Sequence, residues 1–205
     1  MTIYSQYGEE RFLEEFFKGK ENGFLVDVGA ADGELYSNSR HLILNKNWKG
    51  ILVEPHPFFF EKLTNLYHNN RDIKLLNIAA YKTESTMPFY IYGNTPAGQC
   101  STLSQFFKAK VSFRYGDGYD KTINVETRPL KKILEGVEHI DFLSIDCEGV
   151  DLDVISSNDW ELHRPSLVCI EHSMTKNTLW ELMKVYDYHL VHETSGNSFF
   201  AEIKN

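Results

Sequence analysis

The stretch FLVDVGAADGELYSNSR, residues 24–40, decides the fold. Its first five residues are short, valine-rich and apolar apart from one acid, as a strand of a parallel sheet buried on both faces should be. Gly29 and Gly33 follow, with Ala30 and Ala31 between them. In open parallel sheets ligands bind beyond the carboxyl ends of the strands, and small residues there let a ligand lie against the backbone. A pyrophosphate loop would carry Gly-x-Gly-x-x-Gly ahead of a helix N-terminus. This loop has two glycines at another spacing, and it sets Asp27, Asp32 and Glu34 where a pyrophosphate would lie. Like charges so close are costly. The pattern suits a cationic ligand instead. S-adenosylmethionine fits, with a sulfonium and an ammonium group beside a neutral adenosine.

Outward from this loop the chain alternates. Residues 9–17 put Phe12, Leu13, Phe16 and Phe17 on one helical face. Residues 37–46 read as a helix capped by Ser37 or Asn38. GILVEP (50–55) is a second buried strand, 58–69 a helix, and IKLLNIA (73–79) a third strand. The pattern resumes with IDFLSID (140–146), a helix at 150–156, SLVCIEH (166–172) and a helix at 176–186. HLVHETSGNSFFAEI then reads as a terminal hairpin around Ser-Gly-Asn. Between the halves, MPFYIY (87–92) and TINVET (122–127) read as strands flanking a polar segment, 93–121, rich in Gly, Ser, Lys and aromatics. Segments of that length inside compact domains are usually lids or binding loops. The expectation is one α/β domain over 1–205, with a mostly parallel sheet, helices on both faces, a C-terminal antiparallel hairpin, and an inserted acceptor-binding segment at about 81–128.

Bulk properties narrow the classes. The 205 residues suit one domain, and 42% are hydrophobic, enough for a core. The net charge of −8 argues against nucleic acid as the main partner. No apolar run approaches the roughly 20 residues of a membrane helix, and the N-terminus lacks the basic-then-apolar order of a signal peptide. A soluble, cytoplasmic protein is expected. Cys100, Cys147 and Cys169 show no CxxC spacing and read as reduced, buried thiols.

The other strand ends supply the remaining candidates. Glu54 closes the second strand one strand–helix–strand unit after Asp27, where an acid accepts hydrogen bonds from ribose hydroxyls. Asn77, Ala79 and Ala80 end the third, where an adenine ring would lie. IDCEG offers Asp146 and Glu148, and IEH offers Glu171 and His172, all expected at one rim. Group transfer from such a donor to a hydroxyl would need an aligned acceptor and a sink for the hydroxyl proton. Two arrangements stay open: His172 or an acid is the base, or Asp146, Glu171 and His172 hold a divalent cation such as Mg or Mn that acidifies the hydroxyl. In the polar segment, Phe106, Phe107, Phe113, Tyr115 and Tyr119 interleave with Lys108, Lys110 and Arg114. Aromatic faces beside polar groups suit a sugar ring, and the cations suit a phosphate or carboxylate.

SQYGEE, VDVGAADG followed by SNS, VEPHP, STLS, IDCEG and IEH together resemble the FkbM family of S-adenosylmethionine-dependent methyltransferases. The resemblance runs from about residue 5 to 172 and continues weakly through the hairpin. It implies the class I, Rossmann-like fold with a seven-stranded sheet, and O-methylation of a hydroxyl on a sugar or natural product. It extends the cofactor set from Asp27, Gly29, Ala30, Asp32, Gly33, Glu54, Asn77 and Ala79 to Gln6, Ser39, Pro55 and Asp146. It also brings Tyr7, Ser101 and Thr102 near the ligands. Two departures stand out: Ala31 occupies a position that is often Asn, and the usual DxEGxE ends here as EGVD, keeping its acid at Asp151. The leading expectation is a sugar O-methyltransferase acting on a glycan or small molecule, alone or as one module of a longer enzyme. The alternatives are an N-methyltransferase, a natural-product O-methyltransferase, a nicotinamide-dependent dehydrogenase, and a non-catalytic adenosine-binding module.

Overall fold

The computed structural model describes residues 2–93, 99–172 and 176–202. Helix α1 (Glu10–Phe16) precedes β1 (Phe24–Val28), followed by α2 (Arg40–Lys46), β2 (Lys49–Val53), α3 (Pro57–Tyr67) and β3 (Ile73–Leu76). Next come β4 (Ala79–Ala80), β5 (Ser85–Tyr92), α4 (Gln105–Tyr115), β6 (Tyr119–Arg128) and α5 (Leu130–Ile133). Then β7 (Phe142–Ile145), α6 (Asp151–Ile155), β8 (Leu167–Glu171), α7 (Lys176–Val185), β9 (Tyr188–Glu193) and β10 (Asn197–Glu202) complete the order.

The main sheet has seven strands in the order β3-β2-β1-β7-β8-β10-β9. β1 pairs in parallel with β2 and with β7, and β10 runs antiparallel to both β8 and β9. The chain works outward from β1 to β3, returns to β7, and continues to β8. The direction reverses between β1 and β7, and a crevice opens at such a switch point. β4, β6 and β5 form a second, three-stranded sheet.

The strict alternation of strand side chains sorts the apolar residues onto two faces. Val26, Val28, Ile51, Val53, Leu143, Ile145, Val168 and Ile170 pack with Val154, Leu179, Met183 and the second sheet's Phe89, Ile91 and Val125. Leu25, Leu52, Phe142, Leu167 and Phe199 pack with Leu13, Leu42, Leu63 and Tyr67 of α1, α2 and α3. Each fully buried Leu, Ile, Val or Phe contributes about 1.5–3 kcal/mol. Among the described residues no helix is long and apolar enough to cross a membrane.

Three local expectations change. The third strand ends at Leu76, because Asn77 turns the chain: its Nδ2 donates to the carbonyls of Glu54 (2.7 Å) and Pro55 (3.3 Å). Ala79–Ala80 then joins the other sheet. Helix α2 has Ser39, not Ser37 or Asn38, at its N-cap, yet the Ser37 Oγ accepts the Arg40 N–H at 3.1 Å. Helix α4 lies inside the polar segment 93–121, of which 94–98 fall outside the described residues. Ser104 caps α4, its Oγ accepting from the Phe107 N–H at 3.1 Å.

Candidate active site

The β1 loop is built by close approach. Gly29 and Ala30 donate backbone N–H bonds to the Val53 carbonyl, at 2.9 and 3.1 Å, folding the loop across the end of β2. Gly29 adopts φ +89°, and a Cβ there would lie 1.8 Å from the Asp146 carbonyl oxygen, so no side chain fits. Beneath the loop, the Asp27 Oδ2 accepts a 2.6 Å bond from the Ser39 hydroxyl. Burial pushes the Asp27 carboxyl up to about 6, while the hydroxyls of Ser39 and of Ser144, which faces Asp27 in the register of β1 with β7, pull it back. Glu54 is 5% exposed. Its Oε2 accepts from the Ala31 N–H (2.8 Å) and its Oε1 from the His56 N–H (2.7 Å). Burial pushes it up to about 7 in spite of those two bonds. A carboxylate offers about four acceptor positions, so Glu54 keeps capacity for a diol.

The IDCEG loop forms the opposite lip. The Asp146 N–H bonds to the Val28 carbonyl at 2.9 Å, which ties the two lips across the switch point. Asp151, the acid displaced in EGVD, organises the loop: its Oδ1 accepts from the Cys147 N–H (2.7 Å) and its Oδ2 from the Gly149 N–H (3.2 Å). Glu148 sits at φ +51°, a left-handed conformation uncommon for a side chain of this length. Carboxylate oxygens of Asp146, Glu148 and Glu171 all lie within 4.8 Å of one another. Burial first, then the neighbouring Glu171, Asp151 and Asp27, raises the Asp146 carboxyl well above the ordinary range. Burial, then Asp146 and Glu171, does the same to Glu148. The Asp146 Oδ1 is buried without a hydrogen-bond partner. Three crowded carboxyls cannot all ionise cheaply, so they retain protons or attract a cation.

These lips enclose a cavity of about 440 Å³. Asp27, Gly29, Ala30, Glu54, Pro55 and Ala79 line it on the side of β1 and β2, and Asp146, Glu148 and Glu171 on the other. Gln6 and Tyr7 form part of the wall. Tyr7 lies against Gly196, where a Cβ would meet its ring at 2.6 Å, and Glu9 holds the segment in place by accepting from the Asn197 Nδ2 (2.9 Å) and the Tyr7 N–H (2.9 Å). From the insert, Gln99, Cys100, Ser101 and Leu103 join the lining, together with Phe107, Lys110, Val111, Arg114 and Tyr115 of α4.

Five of the cofactor and catalytic candidates named from the sequence, Asp32, Gly33, Ser39, Asn77 and His172, stand outside the lining. The Asp32 carboxylate caps its own turn, its Oδ1 accepting from the N–H groups of Glu34 (3.1 Å) and Leu35 (3.0 Å). Gly33 lets α3 approach, since a Cβ would meet Leu63 at 2.5 Å. Ser39 acts on Asp27 from behind, and Asn77 turns the chain after β3. His172 is buried, with its Nδ1 2.8 Å from the Ser198 Oγ, and burial lowers its imidazole below the ordinary value. Glu148, not His172, completes the cluster with Asp146 and Glu171. Adjacent residues of an extended chain point to opposite sides, so Glu171 and His172 do not converge.

Sequence reasoning did not find the loop-capping role of Asp151 or the pin from the insert. The Thr102 hydroxyl donates to the Glu148 carbonyl at 2.7 Å, and a Cβ at Gly149 would meet the Phe107 side chain at 2.8 Å. Ser104 as an N-cap residue, ahead of Phe107, Val111 and Arg114 at helical spacing, was the available signal.

The chain is similar to known methyltransferases. The family described as Methyltransferase FkbM domain matches residues 27–203. "Methyltransferase sdnD" of Sordaria araneosa is 28% identical, covering 72% of this chain and 66% of its own. The crystal structure of methyltransferase FkbM from Methylobacillus flagellatus KT superposes with a TM-score of 0.56 at 16% identity, over 89% of this chain and 44% of that one. The precorrin-6y C5,15-methyltransferase of Geobacter metallireducens GS-15 gives 0.53 at 11% identity, over 100% and 93%. The chain thus spans just under two thirds of the curated relative and under half of the first crystal structure. Its fold is the class I, Rossmann-like methyltransferase fold.

Proposed function

This chain belongs to the FkbM methyltransferase family, and on that premise we propose that it is an S-adenosylmethionine-dependent O-methyltransferase acting on a hydroxyl of a sugar, in a glycan or small molecule. The observation that carries the reading is the pairing of an acid-lined, glycine-floored cofactor side with a buried, partnerless Asp146 oxygen across one cavity. S-adenosylmethionine supplies an electrophilic methyl group on a sulfonium. Asp27, Glu54 and the backbone from Gly29 to Ala31 would hold it, with Glu54 accepting from the ribose hydroxyls and Ala79 and Pro55 flanking the adenine side. The concentration of carboxylates favours the positive charge of this donor. Asp146 is the base. Its raised proton affinity suits it to take the hydroxyl proton as the acceptor oxygen gains the methyl group. Glu148 and Glu171 orient the acceptor, and His172 supports the fold.

A second reading rests on the three converging carboxylates. They are hard oxygen donors of the kind Mg or Mn takes, and such an ion would relieve their repulsion and acidify the hydroxyl. One experiment covers both: S-adenosylhomocysteine release across a panel of sugars, with and without chelator, for wild type and Asp146→Asn. The base reading expects turnover that survives chelation and falls about 10²–10⁴-fold in Asp146→Asn. Loss on chelation, restored by Mg or Mn, moves the role to the ion. Full turnover in Asp146→Asn refutes both. Cofactor uptake with no product from any hydroxyl or amine would leave a binding module.

A further inference from the structure

The cavity floor is acidic, but its mouth has the opposite sign. Helix α4 carries Lys108, Lys110 and Arg114 and no acid, in a chain of net charge −8. Phe107, Lys110, Val111 and Arg114 recur at helical spacing, so all four share the face that lines the cavity. Phe107 and Val111 are buried and hold the helix down, whereas Lys110 and Arg114 are exposed. Lys108 stands outside the lining, with its Nζ 4.6 Å from the Tyr90 ring centre, and the Arg114 guanidinium carbon lies 5.2 Å from the ring centre of its neighbour Tyr115. Among the described residues, neither Lys110 nor Arg114 takes part in an ion pair, although five carboxyls line the same cavity. One helical turn separates them, about 6 Å along the axis, a spacing that lets an ammonium and a guanidinium grip one oxyanion together.

We propose that Lys110 and Arg114 bind an oxyanion of the methyl acceptor, a carboxylate or phosphate, so that the acceptor is an anionic hydroxy compound. This deepens the methyltransferase reading and rests on it. The polarity of the cavity orients such a molecule. Its anion is repelled by Asp146, Glu148 and Glu171 and drawn to α4, which leaves its hydroxyl to face the three acids. Phe107 against Gly149 and Thr102 on the Glu148 carbonyl fix the distance between the two ends.

The test is calorimetry on protein saturated with S-adenosylhomocysteine, titrated with glucose, glucuronate and glucose 6-phosphate. Wild type and the double variant Lys110→Ala/Arg114→Ala are compared; both side chains are solvent-exposed, and the Ser104 cap is untouched. The expected result is at least tenfold tighter binding of one anionic sugar than of glucose, with the better anion naming carboxylate or phosphate. The double variant should lose that preference while binding S-adenosylhomocysteine within about twofold of wild type. Equal binding of neutral and anionic sugars by wild type overturns the proposal. So does a tenfold loss of S-adenosylhomocysteine affinity in the variant, which would give the two cations to the cofactor's own carboxylate. Failure of wild type to take up S-adenosylhomocysteine at all sinks the methyltransferase reading itself, a distinct result.

Discussion

Glu54 should make the unliganded protein less stable as pH rises, and replacing it should remove that trend. Its carboxyl is pushed from an ordinary 4.5 up to about 7 by burial. The folded state therefore holds this proton over a range in which the unfolded chain has released it. The stability so gained is fully present below about 4.5 and is lost as pH rises through 7. A displacement of that size corresponds to roughly 3 kcal/mol, most of it falling between pH 5 and pH 8. Glu54→Gln keeps the shape and cannot titrate. Its amide can accept only one of the two N–H groups, from Ala31 and His56, that the carboxylate accepts. A constant cost of about 1–3 kcal/mol follows at every pH. Urea denaturation of both proteins at pH 5 and pH 8 isolates the effect, because other titrating groups cancel in the double difference. Wild type should lose roughly 2–3 kcal/mol more than Glu54→Gln between the two conditions. Parallel pH dependences would refute the claim that Glu54 is a buried, proton-retaining carboxyl.

Three further outcomes follow from the same geometry. Gly29→Ala places a methyl group 1.8 Å from the Asp146 carbonyl oxygen at a φ of +89°, so thermal melts should show a loss above about 4 kcal/mol or no folded protein; a variant melting with wild type would contradict the loop geometry. Ser39→Ala removes the 2.6 Å bond to Asp27, so carboxyl-carbon NMR should find Asp27 titrating above its value of about 6, with a stability loss of about 1–3 kcal/mol; an unmoved titration would show that Ser39 does not tune Asp27. His172→Ala should cost about 1 kcal/mol by removing one of the two hydrogen bonds of the Ser198 hydroxyl, which keeps the one donated by the Trp180 Nε1–H at 3.2 Å, while turnover stays within about threefold of wild type; a hundredfold fall would return the imidazole to the reaction.

Much of the fold could be read because its strands are short apolar runs with acids only at their ends. Phe24–Val28 and the run through Val53 were visible for that reason, and so were the acids that follow them. The insert was harder. The aromatic residues of α4 face two ways: Phe107 is buried, while Phe106 and Phe113 are 75% and 94% exposed, so no single apolar stripe announces the helix. The third strand seemed longer than it is because Ile78 and Ala79 continue its apolar run, although Asn77 has already turned the chain into the second sheet. At the site, the acids were found from their places at strand ends. Asp146, Glu148 and Glu171 converge as their places at the strand ends suggest, whereas His172, expected at the same rim, follows Glu171 directly and bonds to Ser198 instead.

The bond from the Thr102 hydroxyl to the Glu148 carbonyl makes the inserted segment and the loop that carries the acids one mechanical piece. Transplanting residues 99–116 from a relative would import a new preference and also reset the tilt of an acidic side chain. Hybrids should work only when 146–151 travel with the graft, so selectivity and turnover are inherited together in this enzyme.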